Sequence, residues 1–161
     1  MDWQIFVVFM AACCAAGATG SLFPPDEWYF KRLVKPWWTP PPWLFPLAWV
    51  TLYIASAVAA TWVAMADGTG FALAFWALQI ALNTLWSPVF FGLKRLGVAM
   101  IVLICLWVAV LGTLLTFWQV LPTAGWLIAP YLLWVTYAGA LNAWIWRANI
   151  SNVAVKIESG E

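Results

Sequence analysis

The run VAMIVLICLWVAVLGTLLTFWQV, residues 98–120, contains no Asp, Glu, Lys or Arg. A helix rises 1.5 Å per residue, so a run of this length crosses the roughly 30 Å of hydrocarbon in a bilayer. Outward from it the pattern repeats. Lys94 and Arg95 precede it, and residues 71–92 before them are uncharged. Leu121-Pro122-Thr123 reverses the chain after it, and residues 124–146 run apolar to Arg147 and a polar tail. Further towards the N-terminus, Asp67-Gly68-Thr69-Gly70 has the residues of a tight turn. Residues 43–65 and 3–22 form two more uncharged runs, separated by a loop with Asp26, Glu27, Lys31, Arg32 and Lys35. The expectation is an all-α membrane protein: a single domain, 1–161, forming a bundle of five transmembrane helices.

Composition agrees. The 161 residues are 66% hydrophobic and 8% charged, with a mean hydropathy of +0.91, which describes a surface facing lipid. Residues 3–22 resemble a secretory signal only in their small residues, because the sole charge before them is Asp2 rather than a basic cluster. Five spans put Lys31, Arg32, Lys35, Lys94, Arg95, Arg147 and Lys156, all seven cations, on one side, and leave only Asp2 and Asp67 opposite. By the positive-inside rule the C-terminus is cytoplasmic and the N-terminus lies on the far side.

Several function classes fall away. A net charge of +1 gives no basic stripe for nucleic acid. There is no histidine, and Cys13, Cys14 and Cys105 lack paired spacing, so no metal site and no conventional catalytic residues are expected. No ionisable side chain lies deep in a span and no internal repeat is found, which argues against an ion-coupled transporter.

Tryptophan accounts for 15 residues. Trp3, Trp43, Trp62, Trp118, Trp126, Trp144 and Trp146 lie near span ends, where an interfacial belt explains them. Trp49, Trp86, Trp107 and Trp134 lie deeper. Side chains three, four or seven apart share a helix face, which groups Trp49 with Tyr53. It also groups Gln79, Asn83, Trp86 and Phe90, and, on the last span, Tyr131, Trp134, Ala138 and Asn142. Counted from the cation-rich side, Trp49, Tyr53, Asn83, Trp86 and Ala138 fall at roughly 9–15 Å depth. Ordinary interhelical packing explains such aromatics as well, and interhelical hydrogen bonds would satisfy Asn83 and Asn142. The alternative is a mostly apolar cavity with a few polar groups, the usual build of a small-molecule site.

Seven of the ten prolines lie between Phe23 and Pro46. Proline fixes φ and restricts its predecessor, so loop 23–42 is expected to be an ordered lid carrying Trp28, Tyr29, Trp37 and Trp38, rather than an extended connector. Pro88 and Pro130 inside spans should kink or loosen their helices. Ala12, Ala16 and Gly20 recur every four residues, a small-residue pattern that seats a helix of a second copy, making a homodimer, or of the same chain.

The motifs together resemble the TspO/MBR family of translocator proteins, also called tryptophan-rich sensory proteins or peripheral-type benzodiazepine receptors. They are Trp28-Tyr29; Lys35-Pro36-Trp37-Trp38-Thr39-Pro40-Pro41 with Trp49 and Tyr53; Ala81-Leu82-Asn83-Thr84-Leu85-Trp86-Ser87-Pro88-Val89-Phe90-Phe91-Gly92; and Pro130-Tyr131-Leu132-Leu133-Trp134 with Ala138, Leu141-Asn142 and Arg147. The resemblance implies a five-helix bundle that binds porphyrins in a pocket beneath the first loop. Its pocket falls on Tyr29, Trp49, Tyr53, Asn83, Trp86, Phe90, Trp134 and Ala138. Trp37, Trp38 and Asn142 join them as expected ligand-binding residues. Steroid recognition in animal relatives is attributed to a Tyr after the Leu-Asn pair; Ala143 stands there, so cholesterol is not expected as a primary ligand. The expected function is a receptor or carrier in a bacterial membrane for protoporphyrin-like tetrapyrroles, with no cofactor required. The alternatives are a light- and oxygen-dependent porphyrin-degrading enzyme assisted by Trp, and a structural or regulatory subunit of a membrane complex.

Overall fold

The computed structural model describes residues 1–67 and 69–159, with side chains to residue 150. Gly68 of the expected turn and the Lys156 side chain lie outside the described residues. The chain folds into helices α1 (Trp3–Leu22), α2 (Leu44–Ala64), α3 (Gly70–Ser87), α4 (Leu96–Val120) and α5 (Pro122–Ser159). All five are long and apolar enough to cross a membrane. Their order around the bundle is α1–α2–α5–α4–α3, with α3 returning to α1.

Local chemistry sets the ends. The Asp2 carboxylate accepts from the amides of Gln4 and Ile5 at 2.9 and 3.2 Å, a cap that stabilises a helix start by about 1 kcal/mol. Pro88 has no amide to continue α3, and Pro88–Gly92 form a π-helical turn instead. The reversal into α4 passes through Lys94 at φ 55. Gly92 is required there, because a Cβ would stand 2.8 Å from the Phe23 ring of the first loop. Pro130 lies inside α5, which continues through it.

One boundary differs more than the rest. The fifth helix was expected to stop at Trp146 before a polar tail, but it runs to Ser159. The tail holds no proline, and no glycine before Gly160, so nothing in it breaks a helix even where apolarity fades.

Two apolar clusters fill the bundle. The larger joins all five helices through Cys13, Ala57, Trp76, Val110 and Ile128. The smaller, with Tyr29, Leu33, Phe90, Leu141 and Ile145, lies between the first loop and the ends of α3, α4 and α5; Trp86 packs against both. Apolar side chains such as Val8, Ile101, Val108 and Leu133 cover the outside, as a lipid-facing surface requires.

Candidate functional site

The first loop is built and fastened as a lid. Trp28–Arg32 form a π-helical turn, and Pro36 begins a turn closed by the Thr39 amide on its carbonyl at 3.0 Å. Three ties hold the lid to the bundle. Lys94 donates to Asp26 at 2.7 Å. The Asn149 amide makes a reciprocal pair with Val34, accepting from its N–H and donating to its C=O, both at 3.1 Å. The Tyr137 hydroxyl donates to the Trp38 carbonyl at 2.7 Å. These ties gather the first loop, the α3–α4 reversal and the α5 segment around Asn149 at one end of the bundle. The Lys94 hydrogen bond holds the Asp26 carboxyl below its ordinary pKa. Burial pushes the Tyr29 phenol above its own, with Tyr137 adding to the effect.

Beneath the lid the expected residues fall into three groups. Trp49 stacks on Tyr53 with centroids 5.3 Å apart and meets Tyr131 edge-on at 5.8 Å. Asn83 ties this group together, accepting from the Tyr53 hydroxyl at 3.1 Å and donating to the Tyr131 hydroxyl. Helices α2, α3 and α5 therefore meet at one buried amide, so the interhelical bond weighed for Asn83 is present. In the second group Trp86 stacks on Phe90 at 4.9 Å, and Phe90 meets the edge of Tyr29 at 6.4 Å. In the third, Trp134 contacts Phe45 and Tyr137, each at 5.8 Å, and Tyr137 contacts Trp38 at 5.6 Å. Ala138 packs half-buried against the larger cluster. Trp37 stands apart, 96% exposed on the outer side of the lid.

The polar atoms divide sharply. While Asn83 is satisfied twice, the indole N–H of Trp86 and both amide atoms of Asn142 and Gln79 are buried without a hydrogen-bond partner among the described residues. Leaving such a group unpaired costs about 1–3 kcal/mol. Trp86 and Asn142 are two of the residues expected to meet a ligand, and a ligand with hydrogen-bonding groups would satisfy them.

Sequence reasoning missed Tyr137 and Asn149, which fasten the lid. A signal was present: Tyr137 lies three residues from Trp134, and Asn149 seven from Asn142, each on a shared face. Of the small residues on α1, Ala16 is buried within the chain's own bundle and Ala12 is half-buried. Gly20 has open space around it. Ala143, where a steroid motif would need Tyr, lines an open groove of about 580 Å³ with Trp38, Trp144 and Arg147.

The TspO/MBR family model matches residues 9–147. Among curated relatives, a "Tryptophan-rich sensory protein" of Cereibacter sphaeroides is 51% identical over 149 residues, covering 92% of this chain and 94% of the relative. "Protein CrtK" of Rhodobacter capsulatus is 50% identical over 153 residues, covering 92% and 95%. The human "Translocator protein" is 36% identical over 155 residues, covering 91% of each chain. With a match this long and a bundle of five apolar helices under a Trp-bearing lid, the chain belongs to the TspO/MBR family of membrane proteins.

Proposed function

We propose that this protein is a membrane receptor or carrier for porphyrins and similar flat hydrophobic ligands, bound beneath the first loop. The observation that carries this reading is the pair of unpartnered buried groups, the Trp86 indole N–H and the Asn142 amide, beside the stacked rings of Trp86 and Phe90. Aromatic faces supply stacking, worth about 0.5–1.5 kcal/mol per ring pair beyond burial. The unpaired polar atoms supply orientation. Free porphyrin suits the chain better than haem, since it contains no histidine to ligate iron. The name of the Cereibacter relative supports a sensory role and that of the human relative a carrier role.

In this reading the lid end, with Lys31, Arg32, Lys35, Lys94, Arg95 and Arg147, faces the cytoplasm of a bacterial cell, and the N-terminus faces away. A homodimer through α1 is part of it, although of the expected stripe Ala16 packs inside the chain's own bundle, which leaves Gly20 and the half-buried Ala12 for a second copy. The test is quenching of Trp fluorescence by protoporphyrin in detergent-solubilised protein. Trp49→Ala, Trp86→Ala and Trp134→Ala should each weaken quenching, and unchanged quenching in all three would refute the site.

A further inference from the structure

Between α2 and α5 the outer surface of the bundle opens into a groove of about 480 Å³, walled by Leu47, Ala48 and Thr51 on one side and Pro130, Leu133 and Trp134 on the other. It faces the lipid: Leu47 is 56% and Leu133 72% exposed. It is also apolar in effect, because the Thr51 hydroxyl donates to the Leu47 carbonyl of its own helix at 2.9 Å and presents no unmet group. Its volume falls within the range of about 300–1,000 Å³ typical of small-molecule sites.

The groove shares wall residues with the candidate site. Trp134 is at once its wall and a member of the aromatic group beneath the lid, in contact with Phe45 and Tyr137. Tyr137 also lines the groove, and its hydroxyl holds the lid at the Trp38 carbonyl. Leu52 lines the groove too, buried to 7% exposure and next in sequence to Tyr53 of the site. Pro130 lacks an amide to donate, so α5 has one backbone hydrogen bond fewer along this wall, which lowers the cost of a local flexure.

Resting on the reading that the interior takes a porphyrin-like ligand, we infer that the α2–α5 groove is a lateral portal through which that ligand enters directly from the bilayer. Such a ligand dissolves in hydrocarbon in preference to water. The water-facing route is fastened by three hydrogen-bonded ties, whereas the groove wall shared with the site is made of side chains, among them Trp134, which contacts Phe45 and Tyr137.

The experiment uses the full chain in phosphatidylcholine vesicles mixed with donor vesicles carrying protoporphyrin IX, with Trp quenching followed by stopped flow. Ala48→Phe, and the milder Thr51→Leu should the first fail to fold, narrow the groove. Each should slow the onset of quenching at least about fivefold and slow release by the same factor, leaving its equilibrium extent unchanged. Val108→Phe, on the exposed face of α4, should alter neither. An unchanged onset in both groove variants overturns the portal. So does a reduced equilibrium extent with unchanged onset, which would make the groove itself the binding surface. Absence of quenching in the unsubstituted protein instead overturns the ligand reading on which the portal rests.

Discussion

Replacing Asn83 and Asn142 separately by Leu, whose side chain has the same branching and number of heavy atoms, should give opposite results, although both are buried amides on membrane-spanning helices. Asn83 accepts from Tyr53 and donates to Tyr131, and its loss strands two hydroxyls in residues only 7% and 1% exposed. Interhelical hydrogen bonds in membranes average about 0.6 kcal/mol and reach about 1.7, so two of them place the cost of Asn83→Leu at about 1–3 kcal/mol. Asn142 has no partner among the described residues. Removing its amide relieves an unpaired group, and Asn142→Leu should leave ligand-free stability unchanged or raise it, by up to about 1–3 kcal/mol. The same variant should weaken protoporphyrin binding. Reversible unfolding by SDS in mixed micelles, followed by far-UV circular dichroism, measures the first pair of effects, and Trp quenching measures the last. Equal destabilisation by the two variants would refute the division into packing amide and ligand-facing amide.

Two further outcomes concern the lid. Asn149→Ala removes both hydrogen bonds to Val34, and amide hydrogen exchange at Val34 should accelerate by about tenfold, the equivalent of roughly 1.4 kcal/mol; unchanged protection would mean that the pair does not hold the lid. Lys94 lowers the Asp26 carboxyl below its ordinary value of 3.8, so this tie contributes fully above the unfolded value and is lost as pH falls through the folded one. With the Lys94 ammonium 5.4 Å from the Trp28 ring centroid, Trp28 fluorescence should change below about pH 4, high salt should weaken the transition, and Asp26→Asn should abolish it.

The spans were legible because the bilayer asks one coarse question, whether about 20 residues pass without a charge, and all five runs answer it. The reversal at Pro122 was legible because a breaker sits there, whereas the third span was read through to Gly92 with Pro88 inside it, although α3 ends at Ser87; the fifth was misread after Arg147, where polarity ended the apolar run but nothing ended the helix. The site was partly legible for a similar reason. Periodicity placed Trp49 with Tyr53 and Trp86 with Phe90, pairs that do stack. It says which face a residue occupies but nothing about the loop that will cross that face. Tyr137 and Asn149 act on backbone carbonyl and amide groups of Trp38 and Val34, and backbone groups carry no signature in a sequence.

Nor does sequence separate a polar residue that builds the bundle from one that serves a ligand, since both read as an amide that lipid cannot solvate. Asn83 and Gln79 lie one helical turn apart on α3, both buried, yet Asn83 is bonded on both atoms and Gln79 has no partner among the described residues. In a soluble protein water could reach such a group at modest cost; in hydrocarbon it cannot, and an amide without a protein partner must be answered from inside the bundle. The satisfied set, Tyr53, Asn83 and Tyr131, clamps α2, α3 and α5 together. The unsatisfied Trp86 and Asn142 lie lidward of it in their helices, and Trp86 packs against the cluster that holds Tyr29 and Leu33 of the first loop. Unpaired groups thus flank the clamp on both sides, Gln79 away from the lid and Trp86 and Asn142 towards it, and in the proposed function the lidward pair takes the ligand.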